Sequence, residues 1–577
     1  MFNKDELKEM FNFTINKKET IIVGILIAIQ IGLYEISYPI ILKKVMDEAI
    51  PEENIKLIIS LSLILFFIVI IKFFFDRYTE IRRKKCCINN DMQIKKKIFS
   101  KLQDAKIQEI EKYKIGELFE TTTNQSFEAA RLFIWNFIGF ISVRVIAILI
   151  IGIIMYIINY KIAVIIVTIF ILAYIPLIPI YSKTQKIYKQ LQNILLELQS
   201  IINEYIDSYL TTKTLILEKS QMENMEKYLK ESKEEIKKAN KVIERHNALF
   251  SLLSFASIIA LVIIGGNELT IGITTSATIM LILNYIDDLN KHMQILLGHI
   301  HEGNNRYNCF LNVLEIMKAK KETDSGMKRL NNIQEIEFRE VSLSYDGINT
   351  VLEKINLKID KPIKIAIVGK SGSGKTSLVN LIPRFYEISK GNIYINNEDY
   401  RKYKLSELRK NISYVFQEPV IFNMSIEDNI KFGNDNNITR KQIEDICKKI
   451  GLSDKIEKLP SKYECIINEQ TDLLSYGEKQ LISFARAILK NTSLIILDEV
   501  TSNLDLEFEE NVLKATKEIL DNKIAFIIAH RLNTIKNSDL IIFIEDKHIV
   551  EIGKHDELIE KQGYYYNLYK NRIINQK

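Results

Sequence analysis

A glycine-rich run at residues 369–376, Gly-Lys-Ser-Gly-Ser-Gly-Lys-Thr, matches the phosphate-binding pattern G-x-x-x-x-G-K-[ST] at every fixed position. A strand-like apolar run, 365–368, precedes it, and an apolar helical run, 377–382, follows it. In this setting main-chain N–H groups wrap the anion, Lys375 reaches the β- and γ-phosphates, and the Thr376 hydroxyl ligates Mg²⁺. The pattern predicts a nucleotide-triphosphate site formed by Gly369, Lys370, Ser371, Gly372, Ser373, Gly374, Lys375, Thr376 and Ser377.

Polar residues that follow other strand-like runs supply the rest of a hydrolytic site. Asp498 and Glu499 end the apolar run 494–497. A buried strand that delivers an aspartate to Mg²⁺ is the usual second half of such a site, and the next carboxylate is then placed to act as base on the attacking water. His530 follows another apolar strand, where it can contact the γ-phosphate, and Tyr345 precedes the phosphate loop, where it can stack on adenine.

The chain that must position these residues has two contrasting halves. It has 577 residues, so more than one domain is expected, and its formal charge of +6 gives no argument for nucleic acid as a partner. A mean hydropathy of +0.01 beside 26% charged residues indicates apolar segments next to very polar ones. From residue 336 onward the composition changes to short β-rich runs, turns and soluble helices.

Six segments of the first half approach or exceed the roughly 20 apolar residues that cross a bilayer. Soluble core helices rarely continue that far without charges, so the sequence predicts an all-α six-helix transmembrane domain in contact with the lipid bilayer. The predicted spans are residues 20–42, 57–75, 133–158, 162–181, 249–264 and 271–289.

The loops between these spans predict their orientation. The long loop 77–131 carries 13 Lys/Arg against 8 Asp/Glu, whereas the loops on the opposite side are short. Excess Lys/Arg near the membrane marks the cytoplasmic face. The long loops, both termini and the nucleotide site are therefore expected in the cytoplasm. The predicted domains are a transmembrane domain at 1–300, a linker at 301–332 and a nucleotide-binding domain at 333–577.

Two charged residues interrupt the predicted spans. Arg144 lies in the third span, where a central arginine costs roughly 2.5–3.5 kcal/mol, and Glu35 lies in the first. One interpretation is a polar translocation pathway. The other is that Arg144 reaches out to the interface and Glu35 sits near the outer surface. The sequence does not choose between these roles.

A further motif connects the two halves to a known family. Residues 474–480, Leu-Ser-Tyr-Gly-Glu-Lys-Gln, resemble the signature motif of ATP-binding cassette (ABC) transporters and lie about two dozen residues before Asp498. With the other motifs in order, the whole chain resembles an exporter-type ABC half-transporter. The resemblance implies a multi-domain fold, in which an all-α transmembrane domain precedes an α/β P-loop NTPase domain of the ABC type.

The resemblance also implies roles for individual residues. Gln417 matches the glutamine that touches Mg²⁺ and signals to the membrane domain, so Thr376, Gln417 and Asp498 form the predicted Mg²⁺ site. Tyr345 matches the adenine-stacking aromatic, Glu499 the catalytic base and His530 the switch histidine, and Asp505 lies in the D-loop. Ser475, Gly477 and Glu478 are expected to contact ATP held by a partner chain, and segments near 113–117 and 209–213 resemble coupling helices.

The signature motif departs from the family pattern L-S-G-G-Q. Tyr476 replaces a glycine and Glu478 replaces a glutamine. Ser475 and Gly477 retain the hydroxyl and the close backbone approach, so binding is expected to survive. The changes leave two possibilities open, slower closure of the site or a preference for a heterodimer. Because Glu499 and His530 are both present, we expect the composite site to be competent.

The resemblance implies an ABC-type ATPase that uses ATP and Mg²⁺ to export a hydrophobic or amphipathic substrate, such as a peptide or bacteriocin, a drug or a lipid. The alternative is an ATP-gated channel or a sensor. A second half-transporter chain must complete each ATP site, and we favour a homodimer over a heterodimer. The composition favours a bacterial plasma membrane. Only about 19 residues precede the first span, so no peptidase domain is expected there.

Overall fold

The structure, a computed structural model, describes residues 17–31, 35–132, 143–174, 177–434, 438–468, 473–498, 520, 522–529 and 532–576. The chain divides into two compact units. The first comprises Met1–Gln103 and Tyr113–Ala319, and the second comprises Asp104–Lys112 and Lys320–Lys577. A short segment that follows the second predicted span therefore belongs to the second unit.

All of the regular secondary structure in the described residues of the first unit is helical. Its helices and helical turns are Lys17–Ile31, Ser37–Lys44, Val45–Ala49, Ile55–Asp104, Ile115–Glu120, Thr121–Gln125, Ser126–Arg131, Val143–Ile158, Tyr160–Tyr174, Leu177–Asp207, Tyr209–Thr214, Glu218–Thr270 and Ser276–Lys318. Each of the six predicted spans overlaps at least one of these helices.

Two of the described helices are long and apolar enough to cross a membrane by length and composition, Ile55–Asp104 and Glu218–Thr270. Val143–Ile158 and the first part of Tyr160–Tyr174 are shorter apolar helices. Large apolar side chains such as Phe66 and Phe73 are mostly exposed on the first of the long helices. An exposed apolar surface of this extent suits contact with lipid chains rather than water.

The last helix of the first unit continues past the predicted end of the membrane domain. Thr275 caps its start by accepting a hydrogen bond from the N–H of Thr278 at 3.1 Å. Near its end, Phe310 and Val313 are buried against Ile94 and Ile98. Because these apolar side chains recur at helical spacing, the segment predicted as a linker, 301–332, is helical up to Lys318.

The described residues of the second unit contain twelve strands. They are β1 (Ile336–Ser344), β2 (Thr350–Ile359), β3 (Lys364–Gly369), β4 (Lys390–Ile395), β5 (Glu398–Asp399), β6 (Ile412–Val415), β7 (Met424–Ser425), β8 (Ile466–Ile467), β9 (Leu494–Asp498), β10 (Ile524–Ile528), β11 (Leu540–Glu545) and β12 (His548–Gly553). One antiparallel sheet has the order β2-β1-β4-β5, and a second sheet has the order β12-β11-β3-β10-β9-β6. β7 and β8 form a small separate pair.

The six-stranded sheet is the core of this unit. Its strands β11, β3, β10, β9 and β6 run parallel, and β12 pairs antiparallel at one edge. β9 and β10 are buried along their whole length. A parallel sheet covered on both faces requires near-continuous apolar strands, and this explains runs such as Leu-Ile-Ile-Leu before Asp498.

Helices cover this sheet and end the chain. They are Lys375–Asn380, Leu405–Lys410, Ile426–Lys431, Arg440–Lys449, Ser453–Glu457, Tyr476–Lys490, Leu532–Lys536, His555–Glu560 and Tyr564–Gln576, with single helical turns at Tyr400–Lys402 and Lys462–Glu464. The short helix Ile107–Ile110 also belongs to the second unit, where the N–H of Lys106 donates to the carbonyl of Lys320 at 2.9 Å.

Candidate functional site

The register of the parallel sheet brings the predicted nucleotide residues to one edge. Ile528 of β10 pairs with Asp498 of β9, and Leu497 pairs with Val415 of β6. The carboxyl ends of neighbouring parallel strands therefore deliver Asp498 and the residues after Val415 to the edge where β3 ends at Gly369. Open α/β sheets bind ligands at this edge.

The phosphate loop has a backbone that requires glycine at two positions. Gly374 has φ +99°, a left-handed conformation that side chains disfavour. A Cβ atom at Gly369 would lie 2.2 Å from the carbonyl oxygen of Ile544. Close approach of the backbone is what a phosphate cradle requires.

Two side chains of the loop point into this cradle. Lys375 is 6% exposed and donates to the carbonyl of Lys370 at 2.8 Å, so its ammonium group lies over the loop. The Oγ atom of Ser373 is buried, with no hydrogen-bond partner among the residues described. A buried hydroxyl and a folded-back lysine fit a phosphate ligand, which accepts from both.

The predicted adenine-stacking residue lies beside the loop. The Tyr345 hydroxyl donates to Ser377 Oγ at 2.9 Å, and its ring meets Tyr386 edge-on with centroids 4.7 Å apart. Asp346 shapes the following turn by accepting main-chain N–H bonds from Asn349 and Ile348, and these bonds hold the pKa of its carboxyl well below the usual range. The hydroxyl and the ring of Tyr345 are thus both held in place by neighbouring side chains.

Tyr345 and Tyr386, the aromatic residues on the predicted adenine side, are linked to the segment that follows the second predicted span. The hydroxyl of Tyr386 donates to Glu111 Oε1 at 2.6 Å, and Glu111 belongs to Asp104–Lys112 of the same unit. The predicted coupling segment near 113–117 lies directly after this contact, and the other, near 209–213, falls on the helix Tyr209–Thr214.

The residues predicted to hold Mg²⁺ supply oxygen donors. Thr376 offers a hydroxyl, Gln417 an amide oxygen and Asp498 a carboxylate, and such hard ligands suit this cation. Asp498 is 6% exposed at the end of β9. Its Oδ2 atom lies 3.3 Å from the hydroxyl of Tyr414, which also contacts Asn380 at 2.9 Å. Burial, and then the charge of Asp498, raises the pKa of Tyr414.

The signature motif forms the start of the helix Tyr476–Lys490. Ser475 Oγ accepts from the N–H of Glu478 at 3.2 Å, and the N–H of Ser475 donates to Glu478 Oε2 at 2.7 Å. This reciprocal capping box follows the pattern S-x-x-E. Lys455 Nζ lies 3.6 Å from the other carboxylate oxygen. Glu478 is thus 7% exposed and engaged within its own chain.

Tyr476, the other departure from the family pattern, has a partner in the same chain. Its hydroxyl donates to the carbonyl of Gln417 at 2.7 Å. From the same helix, Gln480 Nε2 donates to the carbonyl of Phe416 at 3.2 Å. The signature helix therefore holds the backbone of the segment that carries the predicted Mg²⁺-contacting glutamine. No local motif in the sequence predicts these bonds or the contact of Tyr414 with Asp498.

Three predicted residues, Glu499, His530 and Asp505, lie outside the described residues. Their roles therefore stay predictions.

In the first unit, the two charged residues of the spans come together. Arg144 Nη1 lies 3.9 Å from Glu35 Oε1 and donates to His292 Nδ1 at 2.7 Å. His292 Nε2 lies 2.6 Å from Glu35 Oε2, and the His292 side chain is 1% exposed. Three helical segments thus share one cluster of charged and polar groups. The sequence gives no signal for His292, because a single histidine in a long helix carries no motif.

Comparison with known proteins identifies the fold. A family model for the ABC transporter transmembrane region matches residues 21–286, and a family model for the ABC transporter matches residues 352–502. An ATP-dependent lipid A-core flippase from Desulfotalea psychrophila is 32% identical over 425 residues, which are 73% of this chain and 74% of that protein. The chain belongs to the ABC transporter family.

The layout of this ABC transporter is that of an exporter-type half-transporter, one transmembrane region fused to one ATP-binding cassette. Lipid A-core flippases from Wigglesworthia glossinidia brevipalpis and Escherichia coli K12 are 40% and 38% identical. These two alignments span 45% and 44% of both chains, so the chain matches about half the length of those relatives.

A solved structure shows the same architecture. A bacterial Atm1-family ABC exporter with ATP bound superposes with a TM-score of 0.82 and 20% identity, covering 96% of this transporter and 98% of that chain. The predicted family and the predicted fold class, a helical transmembrane domain followed by an α/β P-loop domain, are confirmed. The C-terminal domain of the transporter is an ABC-type, ATP-binding ATPase domain.

Proposed function

We propose that the chain is an ATP-driven exporter that moves an amphipathic lipid across a bacterial plasma membrane. The observation that supports this most directly is the alignment over 73% of the chain with an ATP-dependent lipid A-core flippase. Among the substrates predicted from sequence, lipids are therefore favoured over peptides and drugs.

A cavity in the first unit supports a lipid substrate. It has a volume of about 670 Å³, and its walls come from the helices Val143–Ile158, Tyr160–Tyr174 and Ser276–Lys318. Nearly all of the lining side chains are apolar, including Leu149, Phe170 and Met293, and only Tyr156 and Thr168 contribute side-chain hydroxyls. A cavity of this size and chemistry suits acyl chains, because its apolar lining offers van der Waals contact and few polar groups that an acyl chain would leave unpaired.

We assign nucleotide chemistry to the carboxyl edge of the parallel sheet. Lys375 and the N–H groups of the loop would bind the phosphates, and Tyr345 would stack on adenine. Thr376, Gln417 and Asp498 would hold Mg²⁺, which neutralises phosphate charge when bound. Glu499 would accept a proton from the attacking water, and His530 would contact the γ-phosphate.

The signature motif would complete the site of a second chain, with the D-loop residue Asp505 at the same interface. Ser475 and Gly477 would contact the partner's ATP, and we favour a homodimer. Glu478 supports Ser475 through the capping box, and its carboxylate interacts with Lys455, so it need not repel a phosphate. ATP binding would close two cassettes, and the predicted coupling segments near 113–117 and 209–213 would carry that motion to the spans.

We retain the predicted placement in the membrane. Residues 1–300 would form the multi-pass membrane domain and 333–577 the cassette, with both termini in the cytoplasm. The excess of Lys/Arg in the loop 77–131 supports this orientation.

The proposal is tested with the full chain reconstituted in proteoliposomes that contain a fluorescent phospholipid. ATP is expected to drive movement of the labelled lipid between leaflets, measured by dithionite quenching, and Glu499→Gln is expected to stop it. Lipid movement that persists in Glu499→Gln with ATP bound would contradict a pump and support the ATP-gated channel. ATP turnover stimulated by an apolar peptide and unaffected by lipid would overturn the lipid assignment.

A further inference from the structure

A tyrosine hydroxyl lies between the phosphate-loop helix and the strand that carries Asp498. Tyr414 belongs to β6 and pairs with Ile496 of β9, two residues before Asp498. Its hydroxyl reaches Asp498 Oδ2 at 3.3 Å and Asn380 Oδ1 at 2.9 Å, and Asn380 is the last residue of the helix Lys375–Asn380.

The position of this hydroxyl is set by aromatic packing. The ring of Tyr414 stacks on Phe416, with centroids 4.3 Å apart and 20° between the planes, and Phe385 packs nearby at 6.0 Å. The phenol therefore has little freedom to turn away from Asp498. Tyrosines lose little entropy when they form such a bond, because only two side-chain torsions are ordered.

The phenol has a single proton and faces two oxygen atoms. Phenols titrate at a pH of about 10, so the hydroxyl keeps its proton at neutral pH. The carboxylate of Asp498 can only accept a hydrogen bond. The oxygen and nitrogen of an amide side chain are assigned from its hydrogen-bond partners, and rotating the amide of Asn380 by 180° turns its NH₂ group toward the phenol. Asn380 can thus donate to the phenol oxygen while the phenol donates to Asp498.

We propose that Tyr414 is a positioning residue that orients the carboxylate of Asp498 for Mg²⁺. This inference rests on the proposed function, because it assumes that Asp498 binds the cation of a nucleotide. Partners that hold a metal-binding carboxylate in one orientation raise metal affinity, because the carboxylate then loses less freedom on binding. Tyr414 itself touches neither the nucleotide nor the reacting atoms in this role.

The test measures metal binding rather than turnover. Purified full-length protein is loaded with a non-hydrolysable ATP analogue, and Mn²⁺ is titrated by electron paramagnetic resonance as a probe for the Mg²⁺ site. Tyr414→Phe keeps the stacked ring and removes only the hydroxyl. Its Mn²⁺ affinity is expected to fall about 10-fold, the lower end of the range for residues that support metal ligands. Binding of the analogue without metal is expected to be unchanged.

Two control variants separate this role from general packing. Tyr403→Phe removes another buried hydroxyl, which donates to the carbonyl of Ile395 at 3.2 Å, and should leave Mn²⁺ affinity unchanged. Asn380→Ala keeps the bond between Tyr414 and Asp498, so its Mn²⁺ affinity should stay close to that of the wild type.

Two results for Tyr414→Phe would overturn the inference. One is a Mn²⁺ affinity equal to that of the wild type, and the other is an equal loss of metal-free and metal-dependent nucleotide binding. A wild-type protein whose nucleotide affinity does not respond to any divalent cation would instead contradict the proposed function.

Discussion

The hydroxyl of Tyr476 donates a hydrogen bond to the main-chain carbonyl of Gln417 at 2.7 Å within one chain. Tyr476 stands where the signature pattern L-S-G-G-Q has glycine, and Gln417 is the glutamine expected at the Mg²⁺ site. The departure in the signature motif thus adds a contact between two functional segments that are 59 residues apart in the sequence.

Removing this hydroxyl should destabilise the cassette. The free energy of unfolding of Tyr476→Phe is expected to be about 1 kcal/mol lower than that of the wild type, since a neutral hydrogen bond contributes roughly that amount. For a domain of this size such a loss lowers the unfolding midpoint by about 2–4 °C. Calorimetry of the full chain measures it. Tyr564→Phe, which alters an exposed tyrosine of the C-terminal helix, should leave the midpoint unchanged, and an unchanged midpoint in Tyr476→Phe would exclude a stabilising bond.

The capping role of Glu478 predicts unequal effects of two substitutions. Glu478→Gln restores the family residue and keeps an oxygen that accepts from the N–H of Ser475, so stability should be close to that of the wild type. Glu478→Ala removes the cap and should cost about 1 kcal/mol. Thermal unfolding compares the two variants. Equal losses in both would show instead that the ion pair with Lys455, and not the cap, is the stabilising interaction.

Glu499→Gln should abolish ATP turnover while ATP binding persists, because the amide cannot accept the proton of the attacking water. Phosphate release and nucleotide affinity are measured on the same sample. Glu560→Gln changes an exposed carboxylate in the C-terminal part of the cassette and serves as the control. Wild-type turnover in Glu499→Gln would exclude the assigned role.

Two cysteines of the cassette should differ in reactivity. Burial raises the pKa of the Cys447 thiol to about 12, so almost none of it is thiolate between pH 7 and pH 9. Cys465 is only half-buried. Iodoacetamide should modify Cys465 and spare Cys447 over this pH range, as read by peptide mass spectrometry. Guanidinium should expose both thiols, and alkylation of Cys447 in the native protein at pH 7 would contradict its burial.

The cluster in the membrane unit predicts a stability effect that does not extend to nucleotide chemistry. Glu35→Gln leaves Arg144 and His292 without their carboxylate and should lower the free energy of unfolding by about 2 kcal/mol. This is less than the roughly 3–5 kcal/mol expected when a fully buried ion pair is broken, because Glu35 is 23% exposed. The apparent unfolding midpoint in detergent should fall, with basal ATP turnover retained.

Glu48→Gln provides a matched control for this variant. Glu48 lies 3.7 Å from Lys44 with both side chains more than half exposed, and such pairs contribute little. An equal shift in the two variants would show that the cluster has no special role.

Local sequence patterns predict those features of this protein whose residues are contiguous in the chain. The phosphate loop needs glycines and a lysine at fixed spacing, and the spans need long apolar runs, so both are readable within one short window. Family membership and fold class followed from the order of these motifs and are confirmed. The capping box of Ser475 and Glu478 is also readable from S-x-x-E, a signal beyond the ATP-contacting role predicted for these residues.

The contacts that distinguish this site have no local signal. Tyr414 and Asp498 are 84 residues apart, and Arg144 and His292 are 148 apart. The first pair meets because β6 and β9 are neighbours in the sheet, and the second because the helices Val143–Ile158 and Ser276–Lys318 pack side by side. Chain order predicts which residues are present at a site, whereas strand order and helix packing decide which of them touch, since hydrogen bonds and ion pairs depend on distances of a few ångströms.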